Sequence, residues 1–490
     1  MVLSLYSSRL VLEILGASDF GIYTLVAGVV TLLSFLTNSL TGSTQRYLSV
    51  GQGKNDQSHL KEIFSNSLAL HIIIGLAIVI VLAAFTPLLF NGFLNIPAER
   101  IPAAKILYWQ VVIMVYMSFV TSPFKALLIS RENIVFSSVV EVIDAILKVI
   151  LVIILGFASY NQLLWYGWIM FSIQLLNLVV YSSFCLTKYK ECIFPRYHML
   201  SWRLIKQMSG YTGWMIYSSA CIAGRNQGLA IVLNKILGTA INAAYGIGIQ
   251  IANMIAFVST SFTNAVSPQL MAAEGRKDNE RLWLLAHLQC KVSYLLMACL
   301  GIPTMFEMSV ILRIWLVEVP AYTVQFSCMF ICMQIVDMLT TGLALVNRAK
   351  GNIGMYTLVT YTPRIAVLPI AFVLLKDGYS IMSVVILMIS VESLCMLLRL
   401  IMIRKLDGFN SLSFIRNILL RSQLPIIVGV LVCTFVHVGC TSTVRFFLTY
   451  ILCAPAFIAS TYYLAFNKSE KDIVASVLSG LKKRHSNKYH

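Results

Sequence analysis

The 490-residue chain is 58% apolar and only 12% charged, with a mean hydropathy of +0.82. An ordinary soluble domain has about 25% charged residues, so a soluble globular protein is excluded. The net charge of +17 does not point to nucleic acid, because the Lys and Arg residues lie in short loops between apolar runs rather than in a basic domain.

Apolar runs of roughly 20 residues recur along the chain, the length at which a helix rising 1.5 Å per residue crosses a hydrocarbon core of about 30 Å. The alternating pattern of barrel strands is absent, so the spans read as helices. The first run, up to Leu15, is short for a span and already carries Arg9 and Glu13. Its start reads as lacking a turn or two, and no small-residue cleavage site marks it as a signal peptide. Thirteen further spans are predicted at 20–45, 63–90, 106–130, 134–156, 162–186, 209–236, 241–268, 285–312, 322–347, 353–375, 380–403, 422–440 and 446–466, giving fourteen in all. Most cysteines lie inside these spans without CxxC spacing and read as small buried residues.

Lys and Arg concentrate in alternate loops and in the C-terminal tail, with Arg9, Arg100, Lys105, Lys235, Arg313, Lys376 and Arg445 on the other side. That bias is expected to place both termini in the cytoplasm. An internal repeat organises the spans. Ile14, Leu15, Gly16, Tyr23, Phe35 and Ser39 recur 222 positions later as Ile236, Leu237, Gly238, Tyr245, Phe257 and Ser261. The register holds through the next loop, where Gly53, Asp56 and Leu60 answer to Gly275, Asp278 and Leu282. The expected organisation is an N-lobe of six helices (1–186), a basic linker (187–208), a C-lobe of six helices (209–403), two extra helices (404–466) and a basic tail (467–490). An even number of spans separates the copies, so the repeat is parallel, an arrangement that sets a substrate path between halves.

The leader SLYSSRLVLEILGASDFGIYTLVAGVV (Ser4 to Val30), followed by STQRYLSVGQGK (Ser43 to Lys54), resembles the bacterial Wzx-type polysaccharide flippases of the multidrug, oligosaccharidyl-lipid and polysaccharide exporter superfamily. The resemblance covers nearly the whole chain. It implies a two-lobe helical fold and movement of an undecaprenyl-diphosphate-linked oligosaccharide from the cytoplasmic to the periplasmic leaflet by alternating access. Implied partners are the lipid-linked oligosaccharide, membrane lipid, and the polysaccharide polymerase and glycosyltransferases of the same pathway; no cofactor is implied. A diphosphate head crossing a low-dielectric slab needs a hydrated path with cationic groups along it.

Ionisable residues at bilayer depth are costly and mark functional candidates by default. Arg225 lies mid-span in SACIAGRNQG (Ser219 to Gly228), among small and polar residues. It reads as a cation facing a cavity or as half of an interhelical salt bridge. Arg9 is its approximate counterpart, facing the diphosphate or snorkelling to the interface. Glu141, Asp144 and Lys148 share one helical face, so Asp144 and Lys148 are expected to pair, with a protonatable carboxylate as the functional alternative. Asp337 and Glu392 are the other deep acids, and Arg364, beside Pro363, can pair with either. Pro363 makes its helix the expected hinge. His71 and His437 have no acid or cysteine at ligand spacing, so no metal site is expected.

Hydroxyl and amide residues crowd two corresponding spans: Asn38, Ser39 and Thr41 in one, Ser261, Thr263 and Asn264 in the other. They read as close helix packing or as a wall that hydrogen-bonds a sugar chain. Two other functions compete. A cation-coupled multidrug exporter of the same superfamily would need an acidic cavity, whereas both leading cavity candidates are arginines. A membrane polymerase or acyltransferase would need a sizeable outer loop or a paired acid and base, and the longest outer loop (91–105) holds Glu99 as its one acid. The chain is therefore not expected to be an enzyme.

Overall fold

The computed structural model describes residues 2–90, 97–156, 161–195, 199–316, 318–439, 444–467 and 470–471, with no strand among them. The helices are α1 (Val2–Gly53), α2 (Gln57–Leu88), α3 (Ile101–Ser130), α4 (Ile134–Leu155), α5 (Gln162–Lys188), α6 (Trp202–Leu237), α7 (Thr239–Gly275), α8 (Asn279–Phe306) and the short α9 (Met308–Trp315). They continue with α10 (Thr323–Met338), α11 (Thr341–Lys350), α12 (Gly354–Lys376) and α13 (Ile381–Ile403). Last come α14 (Ser411–Phe414), which runs through a π-helical turn into α15 (Arg421–Gly439), and α16 (Val444–Ser460).

Nine of the described helices are long and apolar enough to cross a bilayer, counting Ser411–Gly439 as one, or ten if the bent pair α10 and α11 is one crossing. Helices occupy the positions of all fourteen expected spans, with α1 covering the first two. The remaining positions fall on α1, α4 and α6, which are helical but carry charges within them, including Glu13, the Glu141–Asp144–Lys148 face and Arg225. A helix is the form available to such segments in lipid, since it satisfies every backbone group internally.

Two compact units form, Met1–Ser219 and Ala220–His490, and the division falls inside α6. In the first, α3 is central and packs against α1, α2 and α5. In the second, α7, α8 and α10 pack on one another, α12 packs on α13, and α15 joins α8 to α16. A core of Tyr245, Phe326, Phe330 and Met388 fills the second unit, with the Tyr245 ring edge-on to Phe326 at 5.5 Å and to Phe330 at 5.1 Å.

The repeat read from spacing is also present in the backbone. Gly16 (φ 74°, ψ 167°) kinks α1, and Gly238 (φ 90°, ψ 178°) separates α6 from α7. Both occupy a region open essentially to glycine alone. A Cβ would meet nothing within 4 Å at either position, so backbone conformation rather than space demands the glycine. Further on, α1 and α7 end at Gly53 and Gly275, Asn55 (φ 56°) and Lys277 (φ 60°) turn left-handed, and Asp56 and Asp278 cap the next helices. Bonds from the Ser58 hydroxyl and the His59 amide hold the Asp56 carboxyl below its ordinary range.

Three expectations need correction. The span at 285–312 is split at Glu307 (φ −102°, ψ 13°), where α8 ends and α9 begins. The span at 322–347 is interrupted: α10 and α11 meet at a 49° bend, where Thr340 leaves helical geometry (φ −121°, ψ 11°). A Cβ on Gly342 would lie 2.1 Å from the Ala286 carbonyl oxygen, so α11 begins with its backbone pressed against α8, an approach a side chain would block. Conversely, α12 runs unbroken through Pro363 and Pro369. The 49° bend therefore lies on α10–α11, not on the proline-bearing helix.

Replacing Gly238 by Ala forces a side chain into the glycine-only region, at a cost of about 1–3 kcal/mol. The thermal midpoint of the purified protein is expected to fall. Gly246→Ala, within α7 and with nothing near its Cβ, is expected to leave the midpoint unchanged or raise it, since Ala favours a helix by roughly 0.5–1 kcal/mol.

Candidate functional site

Five ionisable residues of the second unit converge, apart from the buried pairs Lys291–Glu470 and Glu307–Arg445. Arg225 enters from α6, Asp337 from the last turn of α10, Arg364 from the middle of α12, and Glu392 and Arg399 from α13. Glu392 accepts from Arg225 Nη1 at 2.9 Å and from Arg364 through Nε at 3.2 Å and Nη2. Asp337 pairs with Arg399 Nη1 at 2.8 Å and accepts from Arg364 Nη2 at 3.3 Å. Arg399 Nη1 also donates to the Thr340 hydroxyl at 3.2 Å, and Arg364 Nη1 to the Thr360 carbonyl at 3.1 Å. The Arg364 guanidinium lies 4.8 Å from the centre of the Tyr361 ring.

Burial gives these contacts their strength. The side chains of Arg225, Arg364, Glu392 and Arg399 are each at most 8% exposed, while that of Asp337 keeps 32%. Arg225, Asp337, Arg364 and Glu392, with Asn226, Asn253 and Gln334, form the polar lining of a cavity of about 170 Å³, and Arg399 stands behind Asp337 outside that lining. Taking an ion out of water costs several kcal/mol, which only a well-placed counter-charge offsets. Here three guanidiniums face two carboxylates, so the cluster holds one positive charge in excess. Because a guanidinium presents a planar fork that can grip paired oxygens, the arrangement can receive an anion.

Of the residues singled out from the sequence, Arg225, Asp337, Arg364 and Glu392 come together in this cluster. Arg225 is both salt-bridged and cavity-lining, and Arg364 pairs with both acids. In the first unit, Lys148 and Asp144 pair at 2.7 Å, and Asn177 donates to Asp144 at 2.9 Å. Glu141 is exposed. Arg9 lies in α1 with its side chain outside the described residues.

The hydroxyl faces divide between packing and exposure. Ser39 bonds the Phe35 carbonyl at 2.7 Å and the Ser219 hydroxyl at 3.1 Å. Thr41 bonds the Thr37 carbonyl and the Ser122 hydroxyl. Thr263 bonds the Ser259 carbonyl and accepts from Gln289 Nε2 at 2.6 Å. Asn38, Ser261 and Asn264 are exposed, and Ser261 repeats the bond of its counterpart Ser39 by donating to the Phe257 carbonyl at 2.8 Å. His71 is buried with Nδ1 2.7 Å from the Ser67 carbonyl one turn earlier on its own helix.

Sequence reasoning missed Arg399, Thr340 and Tyr361. Arg399 stands near the end of α13 and reads as one of the basic residues flanking a span. The available signal was its place seven residues after Glu392, two turns along the same helical face.

A family model described as polysaccharide biosynthesis protein matches residues 5–273. Over 302 residues the chain is 20% identical to the "Uncharacterized membrane protein EpsK" of Bacillus subtilis (strain 168), a match covering 60% of this chain and 58% of that protein's length. The chain thus spans less than two thirds of that relative. Among solved structures, the Vibrio cholerae MATE transporter VcmN, in a mutant form, superposes with a TM-score of 0.73 at 14% identity, over 84% of this chain and 93% of that one. A transporter of the MOP superfamily from Pyrococcus furiosus, whose description reports a binding pocket of reverse polarity, gives 0.71 at 14%, over 84% and 92%. At such identities the likeness is one of fold.

Glu392 serves two arginines and is almost fully buried, whereas Asp337 keeps a third of its side chain exposed. Removing one member of a buried pair costs about 3–5 kcal/mol. Glu392→Gln is therefore expected to lower the thermal midpoint of the purified chain clearly more than Asp337→Asn.

Proposed function

This chain belongs to the polysaccharide biosynthesis protein family, and from that premise we propose that it is a flippase for undecaprenyl-diphosphate-linked oligosaccharide. It carries the lipid-linked glycan from the cytoplasmic to the periplasmic leaflet of the inner membrane by alternating access, with both termini cytoplasmic. The observation that carries the reading is a cluster of three buried guanidiniums on two carboxylates, two of whose arginines, Arg225 and Arg364, line the cavity. A diphosphate cannot enter a low-dielectric region without cationic partners, and buried arginines supply them.

In this reading Arg225 is the leading phosphate-facing cation, with Arg9 as its approximate counterpart in the first lobe. Asn38, Ser261 and Asn264 are the polar groups offered to the sugar chain. Ser39, Thr41 and Thr263 tie helices together, through Ser219, Ser122 and Gln289. No bond of the substrate is made or broken, so the protein acts as a transporter rather than an enzyme. Glycosyltransferases supply the substrate on the cytoplasmic side and a polymerase consumes it on the other. A multidrug exporter of cations fits less well, because both acids at the cavity are already paired with arginines.

A strain lacking the protein is expected to accumulate lipid-linked oligosaccharide on the cytoplasmic leaflet and to lose surface polysaccharide; unchanged surface polysaccharide would refute the assignment. Arg225→Gln is the sharper variant. Glu392 keeps its bonds to Arg364 when Arg225 is removed, so the protein is expected to accumulate at normal levels while export drops at least about tenfold, the loss of one charge-assisted contact of ~1.5–3 kcal/mol. Loss of the folded protein together with export would instead assign Arg225 a purely structural role.

A further inference from the structure

Two observations about the cluster are left unexplained by an anion seat alone. The helix interruption between α10 and α11 falls where the cluster attaches: Asp337 closes α10, Thr340 is the non-helical residue of the bend, and both bind Arg399. In addition, Arg399 Nε is buried with no hydrogen-bond partner among the described residues. A guanidinium has five N–H donors, and one left unsatisfied in a buried site is a standing cost.

We infer that Asp337 is an internal stand-in for the substrate's anion, and that a bound diphosphate displaces it and releases the α10–α11 elbow. The inference rests on the flippase reading above. Its physical basis is charge balance. The resting cluster lacks one negative charge, and a diphosphate group brings at least two at neutral pH. Once it binds the guanidiniums, the carboxylates become surplus, and the weaker-held one separates. Glu392 is 4% exposed and bound by two arginines through three N–H groups; Asp337 is 32% exposed and bound at 2.8 and 3.3 Å. Asp337 is therefore the one that leaves. Its departure unties the end of α10 from α13 and frees Arg399 to turn toward the anion's oxygens. Discrimination follows as well: a monoanion fills the single vacancy without displacing Asp337, whereas a diphosphate exceeds it.

The test is amide hydrogen exchange on the purified full chain in nanodiscs, without ligand, with inorganic pyrophosphate, and with acetate at matched ionic strength. Wild type, Asp337→Asn and Thr340→Val are compared. Pyrophosphate, not acetate, is expected to speed exchange in the peptide spanning 337–342 by about fivefold or more, the signature of local opening. In Asp337→Asn that segment is expected to exchange fast before ligand is added, and pyrophosphate is expected to bind about tenfold more tightly, its competitor being gone. Thr340→Val, which removes only the hydroxyl tie, is expected to lie between the two. Should Asp337→Asn fail to fold, the wild-type and Thr340→Val arms decide. Pyrophosphate binding that leaves exchange at 337–342 unchanged, or weaker binding in Asp337→Asn, overturns the stand-in role alone. No binding of pyrophosphate to wild type overturns the anion seat and the stand-in role together.

Discussion

Much of the second unit depends on one imbalance: three buried guanidiniums held by two carboxylates. In water such a set would be of little consequence; inside a helical bundle in lipid each unpaired charge is expensive. The cluster recruits α6, α10, α12 and α13, because Arg225, Asp337, Arg364, Glu392 and Arg399 each come from a helix that must approach the others for the charges to be tolerated. Fold and function thus draw on the same contacts. The pairs that fix the four helices leave a positive excess in the cluster, two of whose arginines line a cavity, and that excess is what a lipid-linked diphosphate would answer.

The repeat shows what both copies share and what they do not. Gly16 and Gly238, the left-handed Asn55 and Lys277, and the capping Asp56 and Asp278 set the same turns in each copy. Chemistry is distributed unequally. The first unit's deep charges include a neutral pair, Asp144 with Lys148, whereas the second carries the unbalanced cluster and the interrupted α10–α11. Among the described residues, the backbone turns recur in both copies while the charged cluster stands in one.

Which features could be read in advance follows from how local their causes are. The glycine-only turns and aspartate caps are dictated by a few neighbouring residues, so a 222-residue spacing of Gly, Asp and Leu exposed them. Arg225, Asp337, Arg364 and Glu392 were legible as charges in apolar spans, since the cost of such a residue depends on depth alone. Their pairing was only partly legible, because it depends on how four helices meet. Arg399 escaped because its place near a helix end resembles that of a loop cation. The α10–α11 break escaped because no proline marks it; its cause is the contact of Gly342 with the Ala286 carbonyl on another helix. Pro363 misled for the complementary reason, as α12 accommodates it without interruption.

The most direct measurement is an experimental structure of the protein with a lipid-linked diphosphate oligosaccharide bound. The diphosphate oxygens are expected within hydrogen-bonding reach of the Arg225 and Arg364 guanidiniums, with the Arg225–Glu392 contact lengthened or replaced. A head group seated elsewhere, with the five-residue cluster as compact as it is here, would contradict this expectation.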